Sequence, residues 1–415
     1  MNFTDFEHLR HVSAQMSSCL NDCIEAERNA RMRPMHTLTV ARRALENLFM
    51  EQCKKYGVYF SGLMQGIDAA CPYLPGNREK IKRQAHFIRR RGNDDVHPDE
   101  DETKLVHAAT DNNINRAIKV LHNMYDVLSM IYGAPAGCHF DEMRIPFDEY
   151  EIIRKIKDRD TIQLERYFVR GANNRTYYLQ SLSHQKMAEL EARRNEANQK
   201  VYENLRRGSR LLLPVPLPVP ENSDRKLLIY EAYPKSILLD EQDARMPLKD
   251  ALNLGLDLID ALEELNSLGM HHRNICPSCV LVDPLPNGGY EAYLLDLQLS
   301  KIINSDLTVN AKLISEYDRS NYVPSSLWTL EQLKKDVPWE QVDVYAVCKV
   351  VLFCIQKGLV QANNISQLQS HSELKNADAL LRLYKSIYRR DDTLRSIPTL
   401  SQLRRYFEDA KNHCH

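Results

Sequence analysis

Two clusters of residues able to do chemistry stand out in this chain of 415 residues. The first lies in Met270–Lys301, where His271, His272, Arg273 and Asn274 precede Cys276-Pro-Ser-Cys279, and a later apolar run delivers Asp296. Asp296 is a hard oxygen ligand suited to magnesium, and a C-x-x-C beside two histidines suits zinc or a redox cycle. No second C-x-x-C stands at zinc-ribbon spacing, and no thioredoxin-like strand and helix flank this one. The second cluster is Arg89-Arg90-Arg91, followed by Gly92-Asn93, His97-Pro98 and the acids Asp99 to Glu102. Arginine stabilises charge on a phosphate and histidine moves a proton near neutral pH, so the pattern suits an RNA-cleaving site. The plainer alternative is a helix with cations in its last turn, complementing the dipole, that stops at Gly92.

The first cluster needs a specific frame. Val280-Leu281-Val282 and Tyr293-Leu294-Leu295 read as short strands joined by a turn from Pro284 to Gly289. A helix from Leu248 to Gly269, with Leu252, Leu256, Ile259, Leu262 and Leu265 in period, precedes them. Asp343 to Leu352 reads as a buried helix behind them. Upstream, Arg166–Val169 and Thr176–Leu179 are strand-like, and 183–208 has strong helix composition. Leu211–Leu213 and Lys226–Tyr230 are further strands, separated by Pro214–Pro220, whose alternate prolines demand an extended path.

The second cluster sits in a helical third of the chain. Ala41, Ala44, Leu45, Leu48 and Phe49 recur at helical spacing. So do Ile81, Ala85 and Ile88 after the turn Pro75-Gly76-Asn77, and Ile114, Ala117, Ile118, Leu121, Tyr125, Leu128 and Ile131 before Gly133. A four-helix bundle is the economical expectation. Gly133-Ala-Pro-Ala-Gly137 marks a boundary, so the expected division is 1–133, a linker 134–149, and 150–415. The expected fold class is α+β.

The order of segments in 150–410 resembles the protein-kinase fold. His272-Arg273-Asn274 stands where H-R-D belongs, Cys276 for the loop Lys, Cys279 for the Asn, and Asp296-Leu297-Gln298 for D-F-G. Tyr322-Val323-Pro324 stands near A-P-E. By that resemblance Asp343 holds the catalytic-loop backbone, Gln180 replaces the phosphate-pairing Lys of the third strand, and Glu191 or Glu196 is the helix Glu. Val169–Arg175, with the single Gly171, takes the place of the glycine-rich loop. Asn274 cannot accept a proton as Asp does, a loss of about 10²- to 10⁴-fold. A thiol at 279 is a poor magnesium ligand. Architecture is kept and chemistry dropped, the pattern of a pseudokinase.

Ala41–Glu46, then Ile88-Arg-x-x-Gly-Asn-x-x-x-His97, then a last amphipathic helix resemble the HEPN superfamily over roughly residues 25–133. The resemblance implies a dimeric helical bundle and a metal-independent ribonuclease motif, Arg91 or Arg90 with His97, with Asn93 beside it. It implies no metal and no cofactor. The expected function is a defence- or stress-type effector or regulator, in which a homodimeric bundle (1–133) binds or cleaves RNA under control of the kinase-like domain, which senses a ligand or a protein partner. The competing classes are a non-catalytic scaffold and an atypical active kinase.

Composition narrows the remainder. Lys plus Arg number 55 and Asp plus Glu 56, so no global field draws the chain to nucleic acid or membrane. The N-terminus carries no apolar signal core, and no run approaches a membrane span. Ten scattered cysteines then fit reduced thiols, and a cytoplasmic location is expected.

Overall fold

The structure is a computed structural model. It describes residues 1–93, 110–156, 164–183, 188–215, 225–242, 245–286, 288–297, 300–302, 322, 338–356, 378–387 and 397–414. The fold is α+β, with N-terminal helices and a kinase-like C-terminal region. Contacts divide it into two compact units.

The first unit opens with a 3-10 helix, Phe3–His11, and then α1 (Ala14–Asn29), α2 (Pro34–Tyr56), α3 (Leu63–Ala70), α4 (Arg78–Asn93) and α5 (Thr110–Tyr132). The described bundle therefore has five α-helices where four were expected. Local chemistry sets their ends. The Ser13 hydroxyl accepts from Met16 N–H, Pro34 occupies the first turn of α2, and Gly57 closes that helix at φ +68°. The apolar positions of α2 and α5 that recur at helical spacing are buried in one core, as that spacing requires.

The same unit continues into β1 (Glu151–Ile156), β2 (Leu164–Arg170) and β3 (Thr176–Ser183), an antiparallel run. A fourth strand, β4 (Arg225–Ala232), completes the sheet in the order β1-β2-β3-β4 and leads into the second unit at Ile229. Strand β1 escaped the sequence pattern because its charges, Glu151, Arg154 and Lys155, break the apolar run.

Bundle and strands are stitched by buried polar contacts. Arg31, 5% exposed, donates from Nε to the Ile145 carbonyl (3.1 Å) and from Nη2 to the Glu142 carbonyl (3.0 Å). Its guanidinium lies 5.0 Å from the Phe147 ring centroid and 5.6 Å from that of Tyr167 on β2. Asn2 exchanges bonds with Asp141, and the Glu27 carboxylate accepts from the Asn2 and Phe3 backbone. Burial pushes the Glu27 carboxyl up from its ordinary range. Arg144 forks onto Asp5 with two bonds of 2.8 Å, and the Tyr125 hydroxyl donates to the same carboxylate.

The second unit packs α6 (Ala188–Asn204) and α7 (Leu248–Ser267) with β5 (Ile237–Leu238), β6 (Met270–His271), β7 (Val280–Pro284), β8 (Tyr290–Leu294) and β9 (Lys301–Ile302). Three further helices follow, α8 (Trp339–Gln356), α9 (Asp378–Ile387) and α10 (Leu400–Asn412). Its core is separate, formed chiefly by α7, α8 and the β7–β8 hairpin. The hairpin turns through Gly288 and Gly289, at φ +85° and +82°. Leu211, expected in a strand, makes one parallel bridge to Leu294. Buried Glu264 on α7 fastens the preceding segment by accepting from Arg206 N–H and the Ser209 hydroxyl.

The Asp5–Arg144 fork gives a stability test with a definite sign. The bond to Arg144 holds the Asp5 carboxyl below its ordinary value of 3.8. The stabilisation is therefore fully present above pH 3.8 and is lost as pH falls through the lower folded-state value. Asp5→Asn should lose about 1–2 kcal/mol at pH 7 by urea unfolding, consistent with a charge-assisted fork. The gap to wild type should close when the same measurement is made under acid conditions.

Candidate functional site

The loop after β6 is built by hydrogen bonds that fix its backbone before any chemistry is considered. Asp343 on α8, 2% exposed, accepts the His272 N–H at 2.9 Å and the Arg273 N–H at 2.8 Å. This is the contact expected of Asp343. His272, fully buried, accepts the Asn274 N–H at Nδ1 (3.3 Å) and donates from Nε2 to the Leu295 carbonyl (2.8 Å). The two bonds are mutually consistent only for the neutral tautomer protonated on Nε2. Leu295 also donates its N–H to the Cys279 carbonyl. His272 thus ties the 272–279 loop to the segment that presents Asp296.

Arg273 and Asp296 both adopt φ +68°, a conformation that residues with a Cβ seldom take. The neighbouring bonds hold the Arg273 backbone there, and its guanidinium stacks 4.1 Å from the Trp339 ring centroid. Asp296 is 5% exposed, and its Oδ1 accepts from the Tyr230 hydroxyl at 3.2 Å. Tyr230, 1% exposed, was not among the expected site residues. Its signal was present in sequence only as one more apolar residue of a strand, because its partner lies 66 residues away.

The remaining loop positions turn toward one another. Asn274 Nδ2 donates to Cys279 Sγ at 3.6 Å, and Cys276 Sγ lies 3.4 Å from Cys279 Sγ. Among the described residues no group of three or more His, Cys, Asp or Glu converges as a metal site. The D-F-G match ends at Leu297, since Gln298 lies outside the described residues. So do Val323 and Pro324 of the A-P-E match, and the side chain of Glu191. Glu196 on α6 is exposed.

In the first unit, Gln180 lies on the third strand, fully buried, and donates to the Tyr178 hydroxyl at 3.0 Å. Directly across from it on β2 is Arg166, 3% exposed. Opposed residues of an antiparallel pair share a face, so a buried guanidinium stands beside the position from which the Lys is missing. Sequence alignment to the third strand alone could not find it.

The expected glycine loop is corrected. With β1 present, Gly171–Arg175 joins the second and third strands, while the segment between the first two is 157–163, outside the described residues. Gly171 serves packing: a Cβ there would sit 2.9 Å from the Tyr177 ring.

The second cluster is corrected in part. Helix α4 continues through Gly92 to Asn93 and does not stop at the glycine. Gly92 is needed where α4 crosses α2, since a Cβ would lie 2.5 Å from Arg42 Cβ and 2.9 Å from the Leu38 carbonyl. Arg91 is half-buried, its guanidinium 5.6 Å from the Phe87 ring centroid. His97 lies outside the described residues.

No protein-family model matches the chain. Among curated proteins it is similar to the serine/threonine-protein kinase/endoribonuclease IRE1 of Oryza sativa subsp. japonica, 29% identical over 114 residues. That match covers 27% of this chain and 12% of the relative. The C-terminal region is kinase-like. Among the described residues, no helix is long and apolar enough to cross a membrane.

The Asp343 contact can be tested directly. Asp343→Ala leaves two buried N–H groups without their acceptor, and unfolding free energy should fall by about 3 kcal/mol. Amide exchange at His272 and Arg273 should accelerate, while exchange in α1 and α2 should stay at wild-type rates.

Proposed function

We propose that the kinase-like domain, 150–415, is catalytically silent and acts as a sensing module. It controls a helical bundle, 1–133, that binds or cleaves RNA in a defence- or stress-type response. The observation that carries the first half is the internal use of the site's own groups. Asp296 accepts from Tyr230, the Asn274 amide is turned to a thiol, and the structural contacts of Asp343 and His272 are intact. A phosphoryl-transfer site needs its carboxylate on magnesium and a base on the nucleophile.

The RNA half rests on the three arginines closing α4 and on the HEPN resemblance. It also draws on the matched relative, whose name joins a kinase to an endoribonuclease. In this proposal Arg91 and His97, with Asn93, act from both copies of a homodimer across one phosphate. The guanidinium supplies the charge that a metal supplies elsewhere.

A second reading, nucleotide binding without the usual Lys, is favoured by one observation: the buried guanidinium of Arg166 opposite Gln180. A thermal-shift assay separates the two. Ligand at 100 times its dissociation constant adds about 2.7 kcal/mol. No stabilisation by sub-millimolar Mg-ATP is expected of the silent module. A clear shift that disappears in Arg166→Gln would favour the second reading.

The RNA half has its own test, run in chelator with wild type, Arg91→Ala and His97→Ala, and with light scattering for the oligomeric state. Dimeric wild type should degrade or retain RNA, and both variants should lose at least tenfold of that signal. Intact, unbound RNA in every condition would leave only the scaffold.

A further inference from the structure

One pair of groups in the kinase-like loop has a chemistry that neither half of this proposal uses. Cys276 and Cys279 occupy a single turn. Cys276 is fully extended (φ −159°, ψ 165°), Pro277 begins a one-turn 3-10 helix, and Cys279 N–H donates back to the Cys276 carbonyl at 2.9 Å. Proline fixes the first dihedral of that turn, so both side chains are delivered to one side with little freedom. Their sulfurs lie 3.4 Å apart and are not disulfide-bonded. A disulfide needs about 2.05 Å, so closure asks for roughly 1.4 Å of approach, within reach of side-chain rotation.

The surroundings are polar on the sulfur side. Asn274 Nδ2 donates to Cys279 Sγ at 3.6 Å, and Ser278 Oγ lies 3.3 Å from Cys276 Sγ. Cys348 and Cys354 are also buried in this unit. Burial in apolar surroundings pushes the Cys348 thiol well up and that of Cys354 up to about 12, which makes both inert packing residues.

We propose that Cys276 and Cys279 form a reversible dithiol–disulfide site whose substrate is a small-molecule disulfide of the glutathione class. Cys276 is the more exposed of the two, 6% against 2%, and attacks first. Its thiolate bonds to one sulfur of the oxidised reagent. The reagent's S–S bond breaks, and the first glutathione thiolate leaves and takes up a proton. Cys279, deprotonated in turn, attacks the Cys276 sulfur and expels the second glutathione thiolate, which is likewise protonated. The two protein thiols lose two electrons and two protons, and the oxidised reagent becomes two thiols. The product cross-links the loop that carries Asn274 at the two positions where a kinase would hold Lys and Asn.

The test uses the full chain, equilibrated in mixtures of reduced and oxidised glutathione and quenched in acid. Alkylation under denaturing conditions and peptide mapping by mass spectrometry follow. The 276–279 peptide should lose a pair of hydrogens and its alkylation as the oxidised fraction rises, while Cys348 and Cys354 remain alkylated. A reductant should restore the original mass. Cys276→Ser should leave Cys279 alkylated or carrying one glutathione, with no internal bond. Should that variant not fold, the wild-type map decides alone. Full alkylation of Cys276 and Cys279 at every ratio, or a mixed disulfide that never closes, would overturn the proposal and leave two small side chains in core contact.

Discussion

Arg31 is a charge placed where charges seldom go. It lies just past the end of α1, almost fully buried, and meets two carbonyl oxygens, the Tyr167 hydroxyl and two aromatic faces. Burying a guanidinium is costly unless its donors are used, and here Nε and Nη2 each meet a backbone carbonyl. Those carbonyls belong to residues 142 and 145, and the aromatic faces to Phe147 and Tyr167. The helical bundle and the first strands are therefore one physical body around this side chain. The Asp5–Arg144 fork and the Asn2–Asp141 bonds reinforce the join from the other end of the chain.

In the second unit the governing constraint is a carboxylate used for structure. Asp343 binds backbone N–H groups, so the loop conformation does not depend on what the loop side chains do. That independence explains how Asn274, Cys276 and Cys279 can depart from kinase chemistry while the frame stays intact. The left-handed conformations of Arg273 and Asp296 are held against their intrinsic cost, of order 1–3 kcal/mol each, by the surrounding bonds. Asp296 keeps its backbone geometry, while its side chain is engaged by Tyr230.

Much of this was legible in sequence because it is local. The periodicity of α2, α4, α5 and α7, the β7–β8 hairpin and the leading Asp of α8 are all written within a few residues of one another. What escaped is non-local. Strand β1 has too many charges to read as a strand until β2 is beside it. Gly92 looks like a helix stop in sequence and proves to be a crossing point, because the reason for it lies on α2. Arg166 and Tyr230 have meaning only through partners 14 and 66 residues away. The kinase-like order of segments was readable because five degenerate pieces fell in sequence, although no single one identifies itself.

Strand β2 has one property that follows from its pleat alone. Successive side chains point to opposite faces, so Arg166 and Tyr167 stand back to back. Arg166 shares its face with Gln180, and the Tyr167 ring packs against Arg31 and Phe147. A strand held by seven paired positions with β3 on one edge and five with β1 on the other does not bend easily between adjacent residues. It behaves as a stiff lever with two working surfaces. The face opposite Arg166 is thus the one that meets Arg31, just past the end of α1.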